Sequence, residues 1–125
     1  MTLGEFRQKM RAYRDSVDRE ARSLKDSQAA LAQLGAFYEN LSQPERDLAN
    51  TVLAEWTLDS DELLRFDALA LIHMFHIRSA NESLKRLAAR LELSHEPSAP
   101  YEMKKVERLM SRLASHDGGE RDPIE

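Results

Sequence analysis

The sequence predicts an all-α protein, a compact bundle of about five or six helices. Three observations support this fold class. Apolar residues recur at three- and four-residue steps along most of the chain, which is the periodicity of helices that bury one face. Polar signatures of helix starts precede several of these segments. Aromatic residues make up only 6% of the chain and glycines number four, so the composition does not favour a β-rich fold.

The first predicted helix begins at Thr2, because Thr2 and Glu5 have the spacing of a capping box. Its apolar residues form a narrow stripe close to the a/d pattern of a coiled coil. This stripe continues in register to Leu41, so residues 3–41 allow one long helix or two, and a new polar cap favours a break near residues 25–27. The stripe of the first helix consists of Leu3, Phe6, Met10, Tyr13, Val17, Ala21 and Leu24.

The next predicted helix begins at Ser42 and runs to about Thr57. Ser42 and Glu45 form a second capping box, and Pro44 lies in the first turn, where its missing N–H does no harm. Its apolar residues predict one buried face. The members of this face are Leu48, Ala49, Val52, Leu53 and Trp56.

Residues 59–93 contain the densest apolar run and predict two helices joined by about four residues. Acidic and small polar residues at 59–62 start the first helix. This helix is apolar around most of its circumference, so we expect neighbours on more than one side. Ser79 and Glu82 form a third capping box, which opens the second helix. Such a short connection predicts a central antiparallel helical hairpin.

The apolar residues of this hairpin have a characteristic spacing along its two predicted helices. They are Leu64, Phe66, Ala68, Leu69, Leu71, Ile72, Ile77, Ala80, Leu84, Leu87 and Ala88. In this order the segment resembles a HEAT-type helical repeat. The resemblance implies paired antiparallel helices that stack into a solenoid and usually serve as a protein-binding surface.

The C-terminal part of the chain predicts a loop over residues 94–100, where two prolines lie, and then a last helix. We expect a single helical domain over residues 1–115. Residues 116–125 contain two glycines and a proline and predict a disordered tail. The apolar residues of the last helix are Tyr101, Val106, Leu109, Met110 and Leu113.

The composition excludes several classes of chemistry. The chain has no cysteine, which excludes disulfides, thiol catalysis and Cys-ligated zinc.

No apolar run reaches the roughly 18 residues that a membrane span needs, and the charged N-terminal residues do not resemble a signal peptide. We therefore expect a cytoplasmic protein. Nucleophile-elbow and Gly-rich phosphate-loop motifs are absent, so the sequence predicts neither an enzyme nor a cofactor.

His73 and His76 are the only metal-ligand candidates that we identify. They lie three residues apart near the end of the central helix, a spacing at which two imidazoles can share a metal. A site needs a third ligand, and the HEXXH motif is absent. Histidines also occur at helix ends because a positive charge complements the negative pole. The sequence favours this second interpretation.

Positive residues on the hairpin and the last helix are candidates for binding a partner. Arg65 flanks Phe66 in the central helix and could pair with a neighbouring helix or hold a partner's carboxylate or phosphate. The last two helices could join their cations into one basic strip, although interspersed glutamates also fit an ordinary solvated face. The candidate residues are Arg65, Arg78, Lys85, Arg86, Arg90, Lys104, Lys105, Arg108 and Arg112.

Three functional hypotheses follow. The first is a non-enzymatic module that docks onto another protein, such as a small inhibitor, antitoxin or immunity protein. The second is nucleic-acid binding through the basic strip, which the net charge of −4 does not favour. The third is a homodimer that uses the stripe of the N-terminal helix as its seam.

Overall fold

The structure, a computed structural model, describes residues 2–24 and 27–118, with the side chains of residues 2–21 and 29–114. This part of the chain contains six α-helices and no strand, which confirms the predicted all-α class with about six helices. The helices are α1 (Leu3–Leu24), α2 (Ser27–Glu39), α3 (Gln43–Trp56), α4 (Glu62–Phe75), α5 (Asn81–Glu92) and α6 (Ala99–Gly118), with a short 3₁₀ helix at Arg78–Ala80.

The contacts within the chain divide it into two units, Met1–Leu53 and Ala54–Glu125, with the boundary inside α3. The single domain that the sequence predicts over residues 1–115 stays a prediction. At the C-terminus, α6 runs to Gly118, and the remainder of the expected tail, residues 119–125, lies outside the described residues.

In the first unit, α1 and α2 pack side by side in opposite directions. The Phe37 ring of α2 stacks on Tyr13 at 4.6 Å between centroids, and it lies 6.4 Å from the Phe6 ring. Gln33, earlier in α2, donates to the Glu20 carboxylate, which is later in α1. Residues 3–41 therefore contain two helices, and the predicted break at residues 25–27 falls largely on residues that are not described.

The apolar stripe of α1 is covered within a single chain. Phe6 and Met10 are at most 1% exposed, and Val17 and Ala21 are also buried. Leu3 and Tyr13 of the same stripe are half-buried, and the homodimer through this stripe stays a prediction.

The capping boxes of α1 and α3 form as predicted. The Thr2 hydroxyl accepts from the Glu5 N–H while the Glu5 carboxylate accepts from the Thr2 N–H. Ser42 and Glu45 exchange the equivalent two bonds at the start of α3. These bonds lower the pKa of the Glu5 and Glu45 carboxyls below their ordinary value, because backbone N–H donors stabilise the charged form.

In the second unit, the Asp61 carboxylate caps α4 by accepting from the N–H groups of Leu63 and Leu64. The helix ends at His76, whose backbone is left-handed with φ 54°. The predicted capping box of Ser79 and Glu82 is wrong. Ser79 lies in the 3₁₀ helix Arg78–Ala80, Glu82 lies in α5, and α5 starts without a side-chain cap.

Helix α5 packs along α6. Leu84, Leu87 and Leu91 are buried on α5, as are Val106 and Leu113 on α6. The loop between these helices is shorter than predicted, because α6 already begins at Ala99 and accommodates a proline in its first turn. The antiparallel pairing of α4 with α5, and with it the HEAT-type repeat, stays a prediction.

Candidate functional site

Helix α4 is apolar on two faces, and only one of them is covered. Leu64, Ala68, Leu71 and Ile72 are fully buried. The other face is open along its length, since the exposed fractions of Leu63, Phe66 and Met74 are 53%, 49% and 48%. The expectation that neighbours cover α4 on more than one side is therefore wrong for this second face. Exposed apolar side chains in a row on one helix are typical of an interaction surface.

Helix α6 lies beside this open face and runs in the same direction as α4. At one end, Arg65 of α4 binds Glu102 of α6. Further on, Lys105 of α6 lies over the ring of Phe66. At the far end, His73 of α4 and Arg112 of α6 line the same groove. Successive residues of the two helices thus meet in the same order, which makes the helices parallel.

The ion pair of Arg65 and Glu102 fixes the two helices to each other. Nε donates to Oε2 at 2.8 Å and Nη2 to Oε1 at 2.9 Å, so the fork binds both carboxylate oxygens. Nη1 donates to the carbonyls of Asp59 and Ser60. The hydrogen bonds that Arg65 donates to the Glu102 carboxylate raise the pKa of Arg65. Of the two sequence interpretations of Arg65, this geometry matches pairing with an adjacent helix.

A groove of about 250 Å³ lies between α4 and α6. Its floor is apolar and comes from both helices, with Leu69, Ala70 and Leu109. The other lining residues are Phe66, His73, Lys105, Arg108 and Arg112. None of the lining side chains is acidic. The groove therefore combines apolar contact area with an electropositive rim.

Lys105 is held by two aromatic rings at the edge of the groove. Its Nζ lies 4.0 Å from the centroid of the Phe66 ring and 4.7 Å from that of Tyr101. Both distances are within the range of a cation–π contact. Two thirds of Tyr101 is nevertheless exposed. These contacts hold the ammonium group on the open side of α6.

We refer to the open surface of the two helices as the α4/α6 face. Its residues on α4 lie within about 100° of arc, and those on α6 within a narrower arc, by the 100° step of a helix. The α4/α6 face consists of Leu63, Phe66, Ala70, His73 and Met74 of α4 and Tyr101, Lys105, Arg108 and Arg112 of α6.

The predicted basic residues do not all meet at this face. Lys105, Arg108 and Arg112 come together in the groove. The exposed cations Lys85, Arg86 and Lys104 do not line it. Arg90 donates to the carbonyl of Leu58, which ties the end of α5 to the segment before α4. Arg78 lines a separate cavity of about 420 Å³ with Ser79, Asn81, Leu113 and Ala114.

The two histidines have different positions. His73 is exposed and lines the groove, whereas His76 forms the left-handed end of α4. Among the residues that the structure describes, no three His, Cys, Asp or Glu side chains are grouped as metal ligands. The position of His76 matches the helix-end interpretation.

Several residues of the α4/α6 face were missed as site candidates in the sequence, namely Leu63, Phe66, Met74 and Tyr101. The signal for those on α4 was present, because this helix carries more apolar residues than one buried face needs. We interpreted that excess as burial. Exposure depends on which segments cover a helix, and periodicity does not contain this information.

Comparisons with protein-family models, with curated proteins and with solved structures found no match to this chain. In the described part of the chain, no helix combines the length and the apolar character that crossing a membrane requires.

Proposed function

We propose that this protein is a non-enzymatic docking module and that the α4/α6 face is its contact surface. The observation that carries the proposal is the half-exposed apolar row of Leu63, Phe66 and Met74 beside a groove with a basic rim. The partner is a protein helix with an apolar stripe and flanking carboxylates. By its size, the protein could serve as a small inhibitor, antitoxin or immunity-type protein that blocks the partner.

The chemistry of the groove supports a helical protein partner. An amphipathic helix places apolar side chains at every third or fourth position, which suits a groove between two helices. Its carboxylates would meet Lys105, Arg108 and Arg112, which project from one side of α6. Arginines and aromatic rings are also the residue types most often enriched at protein interfaces. The apolar floor would supply affinity, and the rim would supply orientation.

Nucleic acid is the alternative ligand, and the row of three cations on α6 favours it. Phosphates would neutralise these cations and release counterions, which gives a steep dependence of affinity on salt, with a logarithmic slope of about −3 for three contacts. The net charge of −4 and the exposed apolar side chains of α4 beside the cations favour a protein instead.

Site-specific photo-crosslinking tests the proposal. A photoreactive amino acid at position 66 should link the full-length protein, in its own cells, to a protein segment with apolar residues at helical spacing and with Asp or Glu. The same group at Leu93, which is 80% exposed and outside the α4/α6 face, is the matched control. The purified partner should then lose binding to R108E and R112E but not to K104E.

Two results would contradict the proposal. Identical adducts from positions 66 and 93 would show that the α4/α6 face has no preference over the rest of the surface. An adduct that disappears on nuclease treatment, together with a steep salt dependence, would assign the groove to nucleic acid.

A further inference from the structure

We infer that the partner helix lies in the groove antiparallel to α4 and α6, with carboxylates in its first turns and a cation near its last turn. The inference rests on the proposed function, because it specifies the charge order and the direction of the helix that docks on the α4/α6 face. Two observations carry it, namely the charges at the two ends of the groove and the common direction of α4 and α6.

The groove continues into an acidic end at the beginning of α4. A smaller cavity of about 100 Å³ adjoins the groove there and shares three lining residues with it. Glu62 lines this smaller cavity and is exposed. Glu102 lines it too, but Arg65 already binds both of its carboxylate oxygens. Glu62 therefore offers a partner an accessible carboxylate at this end.

The opposite end of the groove is basic. Arg108 and Arg112 of α6 lie there with His73 of α4, and all three side chains are exposed. Glu62 and His73 are about 16 Å apart along the axis of α4, at 1.5 Å per residue. A partner helix of three to four turns, roughly the length of α4, covers this distance. Its carboxylates then belong at the two arginines, and a cation belongs at Glu62.

The charges alone allow two directions of the partner helix, and the ends of α4 and α6 distinguish between them. The beginning of a helix has a partial positive charge and its end a partial negative charge. Because α4 and α6 are parallel, their positive beginnings lie at the same end of the groove. A third helix that runs antiparallel places its negative end there, whereas a parallel helix would place a third positive beginning there.

The charge order in the antiparallel direction also stabilises the partner helix itself. Carboxylates in the first turn and cations in the last turn of a helix are favourable in any sequence. In the groove, the same carboxylates would neutralise the beginning of the partner helix and the guanidinium groups of Arg108 and Arg112. The opposite direction requires cations in the first turn and carboxylates in the last, which destabilises the helix before it binds.

Two synthetic helical peptides test the direction. Each is about as long as α4, has leucines at every third or fourth position, and has a hydrocarbon staple on its outer face that keeps it helical. The first has glutamates in its first two turns and lysines in its last turn, and the second has these charges exchanged. We expect the full chain to bind the first peptide about three-fold more tightly, with a dissociation constant between about 10 μM and 1 mM in an NMR titration.

A nitroxide label reports the direction of the bound peptide. On the N-terminus of the first peptide, it should broaden the amide signals around Arg112 most strongly and those around Glu62 least. The same label on the C-terminus of the peptide is the control and should reverse this pattern.

Charge reversal at each end of the groove tests the contacts. R112E and E62K should each bind the first peptide about five-fold more weakly, because a like charge replaces the complementary one. K104E, which changes the charge of α6 outside the groove, is the matched control and should bind like the wild type. A third peptide, with glutamates in place of the lysines, should bind E62K more tightly than the wild type, which also shows that this variant is folded.

Four outcomes would overturn the inference. They are no binding of the first peptide at about 1 mM, equal affinities for the first two peptides, broadening by the N-terminal label that is strongest around Glu62, and a loss for K104E as large as that for R112E. None of these outcomes touches the docking function, which the crosslink from position 66 tests on the natural partner. A crosslinked partner helix with the opposite charge order would retain the docking function and reject the inferred direction.

Discussion

At the scale of single residues, Arg65 joins two helices and the segment before α4. Its guanidinium binds both oxygens of Glu102 and two backbone carbonyls, and the side chains of the pair are only 15% and 9% exposed. The sequence indicated this pairing as one of two roles for Arg65. It could not identify the partner, because Glu102 lies 37 positions away and many acidic residues were equally eligible.

We expect R65A to lower the free energy of unfolding by about 3 kcal/mol, because it leaves the Glu102 carboxylate buried without its countercharge. Urea denaturation measures the change. The double variant R65M/E102L should lose much less, because apolar side chains of similar size replace a buried ion pair at little cost. K104A removes an exposed cation and is the control. A loss for R65A that does not exceed the loss for K104A would contradict this account.

Glu45 should give the stability a measurable dependence on acidic pH. Its pKa is lowered in the folded protein by the bonds from Ser42, so the folded state binds protons less readily than the unfolded chain. This contribution is fully present above the ordinary pKa of about 4.3 and is lost as the pH falls through the lower folded pKa.

Gln can keep the capping geometry without titrating, so the difference in melting temperature between the wild type and E45Q should shrink as the pH falls from 7 to about 2.5. E92Q, at an exposed carboxylate near the end of α5, controls for the loss of one charge. A constant difference across this pH range would contradict the assignment.

At the scale of elements, three sequence signatures of the capping-box type led to two different local structures. Thr2 with Glu5 and Ser42 with Glu45 form capping boxes, whereas Ser79 with Glu82 does not. The difference lies in the preceding residues, because α4 ends in a left-handed His76 and the chain turns at once into a 3₁₀ helix. A local motif does not contain the conformation of the segment that precedes the helix.

We therefore expect S42A to lower the free energy of unfolding by about 1 kcal/mol, the usual effect of losing an N-cap. S79A should change it by less than about 0.5 kcal/mol, as exposed substitutions generally do. Chemical denaturation of the two variants side by side makes the comparison. Equal losses would indicate that Ser79 caps α5 in solution.

The two apolar faces of α4 should respond differently to truncation. L64A removes a fully buried side chain and should cost about 2–5 kcal/mol. F66A removes a half-exposed ring and its contact with Lys105, so about 1 kcal/mol is expected. Thermal denaturation of the two variants beside the wild type checks the difference. A cost for F66A near that of L64A would mean that Phe66 belongs to the core.

At the scale of the whole molecule, the sequence predicted the helical class and the number of helices because both follow from apolar periodicity. The buried residues of α4 and the stripe of α1 were predicted for the same reason. The site was predicted only in part. The cations Lys105, Arg108 and Arg112 were identified, but their separation from Lys85 and Arg86 depends on which helices pack together. The packing of α5 against α6 also depends on tertiary contacts that the sequence pattern does not contain.

The parallel direction of α4 and α6 also has an electrical consequence. Every helix has a dipole, and acidic residues at its beginning and basic residues at its end stabilise it. In two antiparallel neighbours, these preferences place opposite charges side by side, and their fields largely cancel. In two parallel neighbours, they add, and the shared surface acquires a negative and a positive pole. Arg108 and Arg112 at the positive end of this surface would then steer the carboxylates of a partner toward that end before contact, at a rate that falls as salt is added.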